Sequence, residues 1–153
     1  MQTVIPINGW GDNVLDGLVY VLRSHAAAVQ ANPNLTQPIV IRANVGYCVT
    51  VHFENQIIGR SVGLHPDAIV RYDPKDSDGA HVGFNPNTTV TTGQQISYTW
   101  YADREGQGAI SDPGNLDSQP PNHPTAALGL YGAIVVHPQG SDWSNQVSGA
   151  PLL

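Results

Sequence analysis

Hydrophobic and polar residues alternate in short runs along this chain. The alternation is clearest at 48–54, where Val49, Val51 and Phe53 fall on one side of an extended backbone and polar residues fall on the other. The run at 95–102 repeats the pattern. A period of two residues indicates strands with one buried face rather than helices.

Short apolar segments rich in Val, Ile and Tyr are separated by Gly, Pro, Asn and Asp, which is the pattern of an all-β protein. A single segment, 24–32, is predicted to be helical, with Ser24 as its N-cap and Asn32-Pro33 as its end. The fold class predicted is an all-β sandwich with one short helix near the N-terminus. The predicted strands are 17–22, 38–44, 48–55, 60–65, 68–73, 95–102 and 129–138.

The length of 153 residues suits one domain that can bury a core of its own. We expect an N-terminal arm at 1–16, the domain at 17–143 and a C-terminal tail at 144–153. Two segments rich in turn residues, 74–89 and 111–127, are predicted to be long loops. Loops of this length inside a domain usually carry function or contact a partner.

Charge is sparse and negative. Charged residues make up 12% of the chain, about half the usual share, and the net charge is −6. This argues against a nucleic-acid partner, which needs a basic patch, and against an anionic membrane. The amide-rich surface fits two interpretations equally: it is covered by other domains or subunits, or it belongs to a secreted domain with a neutral surface.

Location is open at this stage. No apolar run approaches the length of a membrane-spanning helix. Residues 1–13 lack the basic start and apolar run of a signal peptide. The chain is therefore a cytosolic protein, a protein whose leader was removed, or one piece of a longer chain.

Several side chains that can bind metals are expected to have structural roles. Cys48 is the only cysteine, which excludes an intrachain disulfide and a cysteine-based zinc site. It is predicted to be a packed, largely buried thiol at the start of a strand. His52 is predicted to be a surface histidine in mid-strand. His137 is predicted to form a hydrogen bond at the end of the last strand.

The strongest candidate metal ligand is His65, which ends an apolar strand directly before Pro66. Asp67 stands where a second histidine would complete a His-x-His pair. Loop residues His81 and His123 are expected to be exposed, but loops could bring them to His65. Imidazole groups suit copper and zinc.

The segment 73–79 offers a second, weaker candidate. Its carboxylates, Asp73, Asp76 and Asp78, precede Gly79 at a spacing that resembles part of a calcium-binding loop. The full spacing and a closing glutamate are absent. A solvated turn is therefore the main interpretation, and calcium binding is the minor one.

Several segments together resemble a cupredoxin domain of the multicopper oxidases, and the likeness covers about residues 17–143. It is closest to the large bacterial oxidases of the manganese-oxidising type, which link several such domains. The resemblance implies a Greek-key β-sandwich of the cupredoxin type. The segments that carry it are "PIVIRANVGYCVTVHFEN" (38–55), "SVGLHP" (61–66), "VRYD" (70–73), "SDGAHVGFN" (77–85), "TTVTTGQQISYTWYADREG" (88–106) and "GLYGAIVVHPQGS" (129–141).

The resemblance also implies copper. In the family, four His-x-His pairs from two domains hold a trinuclear copper cluster that reduces dioxygen, and a separate type 1 copper takes electrons from the substrate. His65 matches the first histidine of a pair, and Asp67 stands at the second. The positions of another pair read Ser111 and Pro113. The late His-Cys-His motif of type 1 copper is absent, and Met1 is the only methionine.

Three functions follow as hypotheses. The first is a structural cupredoxin-like domain, poor in copper ligands, that packs against sister domains or copies of itself. The second is a copper-dependent oxidase domain, acting on a phenol or a metal ion, whose site another domain or chain completes. His65 would then be a ligand, together with His123 or His81.

The third hypothesis is a self-assembling extracellular protein that exchanges terminal strands. Val4, Ile5, Ile7 and Trp10 would suit such an arm, although a strand that closes its own sheet is the favoured interpretation. The expected location is extracellular or periplasmic.

Overall fold

The computed structural model describes residues 1–113, 124–145 and 147–151. The described chain is built mainly of strands, with the α-helix near its N-terminus. The elements are β1 (Gln2–Pro6), β2 (Asn13–Leu18), α1 (Arg23–Ala31), β3 (Ile39–Asn44), β4 (Cys48–Glu54), β5 (His65–Pro66), β6 (Val70–Arg71), β7 (Gln95–Ala102), β8 (Gly106–Ser111) and β9 (Gly132–His137), with short 3-10 helices at Pro33–Leu35 and Thr125–Leu128.

Two sheets face each other across the core. One has the strand order β3-β9-β8-β5, and the other has the order β4-β7-β6. Strands β3 and β9 run parallel, and the remaining neighbours in both sheets are antiparallel. The chain changes sheet after β3, β4, β5 and β7, so the two layers are linked by crossing connections. The prediction of an all-β sandwich is confirmed.

The period-two prediction holds for the two long paired strands. Tyr98 and Trp100 on β7 are completely buried, while Thr99 between them is exposed. The core continues on the opposite sheet through Ile110 of β8 and Ile134 of β9. Strand alternation therefore sends one side of each long strand into a single shared core.

Segment 17–22 was predicted as a strand, but the strand there is Asn13–Leu18. Its partner β1 begins at Gln2, which pairs with Leu18, and the pairing ends with two hydrogen bonds between Met1 and Val19, where the chain itself begins. Likewise, 60–65 forms a single bridge at Val62 and only then enters β5.

Strand β8 was not among the strands predicted from the sequence. Its glycines explain the error. A Cβ on Gly106 would come within 2.9 Å of the Ile69 side chain, and one on Gly108 within 2.9 Å of both Asp67 and Ile69. The strand is therefore glycine-rich because residues 67–69 pack closely over it, and glycine hides the usual strand pattern.

Two further predictions are wrong. Helix α1 begins at Arg23 with Leu22 as its N-cap residue and no side-chain cap, so Ser24 lies inside the first turn. Cys48 is exposed, because it falls on the outward side of β4 together with Thr50 and His52. The predicted helix end at Asn32 is confirmed.

The N-terminal residues form a hairpin of β1 and β2, which pair antiparallel with each other within this chain. Near the other end, Ser144 forms an isolated bridge with Pro151. The boundaries proposed at 16/17 and 143/144 stay predictions. Among the described residues, the helices are too short and too polar to span a membrane.

Two buried tyrosines predict how stability depends on alkaline pH. The Tyr20 hydroxyl donates to the Gly63 carbonyl at 2.6 Å, and the Tyr98 hydroxyl donates to the Thr88 carbonyl at 2.7 Å. Burial raises the pKa of both hydroxyls, and the charge of Asp112 raises it further. Both groups thus keep their protons in the folded state at a pH where unfolded tyrosine loses them.

Since the unfolded state binds fewer protons above about pH 10, the free energy of unfolding is expected to fall as pH rises through that range. Urea denaturation at a series of pH values measures this slope. Tyr98→Phe removes one ionising group and should make the slope shallower, at the cost of one hydrogen bond. An identical slope in the Tyr20→Phe/Tyr98→Phe double variant would contradict the assignment.

Candidate functional site

The candidate ligands lie where β5 meets β8. His65 pairs with Ser111 across this ladder, and Pro66 pairs with Ile110. The backbone N–H of Asp67 continues the pairing by donating to the Ala109 carbonyl at 2.9 Å. The structure thus brings together the two places that the resemblance assigns to ligand pairs, although they lie more than forty residues apart.

The Asp67 side chain is committed to the backbone of β8. Its Oδ2 accepts a hydrogen bond from the Ala109 N–H at 2.9 Å. Both backbone groups of Ala109 therefore pair with Asp67. Gly108 leaves room for this arrangement, since a Cβ there would lie 2.9 Å from the Asp67 Cβ. Asp67 acts as an extension of the β-ladder.

His65 is half-buried and held in one orientation. Its Nδ1 lies 2.5 Å from the Asp78 carbonyl oxygen. A carbonyl can only accept, so Nδ1 carries the proton and Nε2 carries the lone pair. The ring also meets Tyr72 edge-on at a centroid distance of 5.9 Å. A backbone bond of this kind orients metal-binding histidines in many proteins.

The three carboxylates of the calcium-like segment each have a separate local partner. Asp73 accepts from the Lys75 N–H at 2.9 Å, and Asp76 accepts from the Ser77 hydroxyl at 2.6 Å. Asp78 is buried, and its Oδ1 accepts from the Ala80 N–H at 3.1 Å and from the Thr88 hydroxyl. These bonds stabilise a turn, and no shared cation site is formed by them.

This turn is anchored to the core strand β7. The Ser77 hydroxyl oxygen accepts from the Thr99 N–H at 3.1 Å, and the Ser77 carbonyl accepts from Trp100 Nε1 at 2.9 Å. The anchoring places the Asp78 carbonyl where the ring of His65 can reach it. Hydrogen bonds therefore link the candidate site to the core strand β7.

Sequence reasoning missed Asp112 and Gly63, which support the same region. Asp112 is buried, and its Oδ1 accepts from the Gly63 N–H at 2.9 Å. The Gly63 carbonyl accepts from the Tyr20 hydroxyl, so both backbone groups of Gly63 are hydrogen-bonded to side chains. The available signal was the position of Asp112 between Ser111 and Pro113, inside the segment where the family places ligands.

The other histidines are distributed over the domain. His81 is exposed, and His123 lies outside the described residues. His52 is exposed on β4 with its Nδ1 2.8 Å from the Ser97 hydroxyl, as a surface histidine should be. His137 accepts from the Arg42 guanidinium at 3.3 Å, as predicted for a strand-terminal histidine, and its ring lies 4.6 Å from Trp143.

The donor set does not fit the copper centre that the resemblance implies. The residues near His65 are Asp67, whose carboxylate is already bonded to the backbone, and Ser111 across the ladder. A copper cluster requires several imidazoles at one place. Within residues 1–113, 124–145 and 147–151, no group of three or more His, Cys, Asp or Glu side chains could hold a metal ion.

Comparison with known proteins shows the fold. No protein-family model and no curated protein matches the chain. Among solved structures, it is similar to Lac15 from a marine microbial metagenome, with 25% identity over 70% of this chain and 26% of that chain and a TM-score of 0.51. A copper nitrite reductase from Nitrosomonas europaea matches at 18% identity over 92% of this chain and 40% of that chain, with a TM-score of 0.62.

A blue copper oxidase from Nitrosomonas europaea is also similar, at 19% identity over 67% of this chain and 30% of that chain, with a TM-score of 0.53. The chain thus spans less than half the length of each of these three proteins. Together with the strand arrangement, these likenesses confirm the prediction of a cupredoxin-type β-sandwich. The chain is a cupredoxin-like domain whose fold resembles that of domains in these copper proteins.

Proposed function

We propose that this chain is a non-catalytic cupredoxin-like domain that packs against other cupredoxin domains or against copies of itself. One observation carries the proposal. At the place where the family binds copper, the Asp67 carboxylate is hydrogen-bonded to the backbone of β8 at 2.9 Å. A side chain that completes a β-ladder serves the fold at a position where an oxidase would need a ligand.

The neighbouring segment supports the same interpretation. Ser111 stands opposite His65 in the ladder, and the carboxylate of Asp112 is turned to the Gly63 N–H. A buried carboxylate with a backbone partner stabilises packing, and removing it would leave an unsatisfied N–H at a cost of about 1–3 kcal/mol. Residues 109–113 therefore hold the sandwich together.

The surface supports packing against partners. Several large apolar side chains are almost fully exposed, and aromatic side chains in particular are enriched at protein interfaces. The short span relative to Lac15 is consistent with one unit of a multidomain arrangement. An extracellular or periplasmic location belongs to this proposal. The most exposed are Trp10 (94%), Leu15 (74%), Ile58 (79%), Phe84 (109%) and Val147 (99%).

Copper analysis of the purified chain tests the proposal. After incubation with Cu(II) and dialysis, we expect well under one tightly bound copper per chain, no blue colour and no oxidation of a phenol or of Mn(II). Mn(II) is included because of the resemblance to manganese-oxidising enzymes. Stoichiometric copper with several nitrogen ligands in the electron paramagnetic resonance spectrum, together with turnover, would overturn the proposal.

A gain-of-binding variant sharpens this test. Asp67→His/Ser111→His places two imidazoles beside His65, and imidazole is the ligand that copper prefers here. We expect copper affinity to rise at least about tenfold over the wild type. Gln107→His/Gln139→His, at exposed positions, is the matched control for added histidines. Equal affinity of both double variants would show that the β5–β8 site does not have the inferred geometry.

A second candidate function is a copper-dependent oxidase domain whose site another domain or chain completes. The observation favouring it is the Nδ1 bond of His65 to the Asp78 carbonyl, which leaves the Nε2 lone pair as a possible ligand. In the complete assembly, His65→Ala would then abolish oxidation of a phenol or of Mn(II). Unchanged oxidation would remove His65 from the mechanism and leave the structural proposal standing.

A further inference from the structure

A cavity of about 650 Å³ opens between the two sheets beside α1. We call it the β3–β4 cavity, because these strands form the edges of their sheets on that side. Its walls include Ile41 of β3, Val51 and Phe53 of β4, and Ile96 of β7. These side chains face inward, yet all four are half-buried rather than buried. The sandwich is therefore incompletely closed along this edge.

The mouth of the β3–β4 cavity is polar. Arg23 of α1 lies 3.4 Å from the Glu54 carboxylate. Gln56 and Gln95 donate to the same carboxylate, each at 2.9 Å. The Gln56 bond and the Arg23 charge lower the pKa of Glu54, so the carboxylate is ionised at neutral pH. The side chain of Arg23 is 87% exposed and can reach an acidic group outside.

The hairpin of β1 and β2 carries an exposed anchor at its end. We call residues 7–12 the hairpin tip. Trp10 in this tip is 94% exposed. The backbone of the tip forms a hydrogen-bonded turn, in which Asn8 Oδ1 accepts from the Trp10 N–H at 2.9 Å and Asn8 Nδ2 donates to Asp12 Oδ2 at 2.7 Å. The Ile7 N–H closes the loop by donating to the Asp12 carbonyl at 2.8 Å.

An exposed tryptophan on a hydrogen-bonded turn is the kind of side chain that dominates binding energy at interfaces. Its ring can bury about 150–250 Å². Because hydrogen bonds already hold the backbone of the turn, binding costs less backbone entropy than it would for a flexible loop. Ile7 in the same tip is 63% exposed, and Leu15 on β2 is 74% exposed.

The hairpin tip does not reach the cavity of its own chain. Met1 and Val19, at the base of the hairpin, line the β3–β4 cavity. The five residues of β1 separate that base from the tip. At about 3.3 Å per residue, the strand carries the indole roughly 17 Å or more away. The anchor and the cavity are therefore at opposite ends of one hairpin.

We propose that the hairpin tip of one copy inserts Trp10 into the β3–β4 cavity of a second copy. This proposal rests on the proposed function, in which the domain packs against copies of itself, and it names the residues that make the contact. The cavity volume falls within the range of about 300–1,000 Å³ that encloses ligands larger than an indole ring. Asp12, two residues after the anchor, is opposite in charge to Arg23, whose side chain stays 87% exposed at the mouth beside Glu54.

The contact joins two different surfaces, so it is heterologous. Two copies can close it reciprocally, or it can extend from copy to copy. This property allows a complementation experiment. Trp10→Ala loses the anchor but keeps the cavity, and Ala26→Phe, on the cavity side of α1, blocks the mouth but keeps the anchor.

Sedimentation velocity from micromolar to millimolar protein measures the association. We expect each variant to associate at least about tenfold more weakly than the wild type. We further expect a mixture of the two variants to form a one-to-one complex. The matched controls are Ala27→Phe, its exposed neighbour on α1, and Phe84→Ala, an exposed aromatic elsewhere, and both should associate like the wild type.

Trp10→Ala associating as strongly as the wild type, or a mixture that stays monomeric, would overturn the proposal. A wild type that stays monomeric while the probe 1-anilinonaphthalene-8-sulfonate binds it, and binds Ala26→Phe far less, would assign the cavity to small molecules instead. Because Trp10 is at an exposed tip, its variant remains informative even if Ala26→Phe does not fold. The copper content of the same samples is measured as well. A monomeric wild type without tightly bound copper would contradict the Trp10 contact, whereas stoichiometric copper together with turnover would contradict the proposed function.

Discussion

Replacing Trp100 with alanine is expected to lower the free energy of unfolding by about 3–5 kcal/mol. The side chain is completely buried on β7 and stacks on Tyr98 at a centroid distance of 6.3 Å and an interplanar angle of 11°. Truncation removes the ring contacts and leaves a cavity that the rigid sandwich cannot refill. The N–H donated to the Ser77 carbonyl is lost as well.

Chemical denaturation of the wild type and the variant measures the loss. Trp100→Phe keeps most of the apolar contact but removes the N–H, so its smaller loss estimates the contribution of the Ser77 bond. Tyr101→Ala, on the next residue of β7 and 43% exposed, is the control for side-chain truncation in the same strand. If Trp100→Ala lowered the free energy of unfolding as little as Tyr101→Ala, the position of Trp100 at the centre of the core would be contradicted.

Gly63→Ala is expected to be more damaging, with a loss above about 4 kcal/mol or no folded protein at all. A Cβ at Gly63 would overlap the carbonyl oxygen of Gly79, and a Cβ at Gly79 would overlap the carbonyl oxygen of Leu64. Gly79 also has a φ of +64°, in the left-handed region that glycine favours. Two backbone segments cross here at a separation that only glycine permits.

The crossing explains why the effect should reach the candidate site. It sets residues 63–65 against 78–79, and the Asp78 carbonyl holds the ring of His65 across the same contact. Gly9→Ala is the matched control, because a Cβ there meets nothing within 4 Å. Circular dichroism and denaturation compare the two variants. Similar stability of Gly63→Ala and Gly9→Ala would show that the segments do not cross this closely.

The candidate site could be predicted only in part. His65 and Asp67 are recognisable from their spacing and from the resemblance to the family. Their position opposite Ser111 depends on the β5–β8 ladder, and β5 spans only His65–Pro66. A strand of two residues has no periodic pattern to read. The role of Asp67 as a backbone acceptor was likewise hidden, since it depends on which backbone N–H lies beside it.

The sequence by itself determined the long strands, the helix and the fold class. Strand β7 was predicted at its observed bounds, and β3, β4 and β9 within a few residues, because alternation of apolar and polar side chains is a local signal. The tertiary structure alone decided the roles of Asp67, Asp112 and Gly63. Their roles depend on hydrogen bonds and close backbone contacts between segments that are distant in the sequence, and such contacts leave no periodic signal in it.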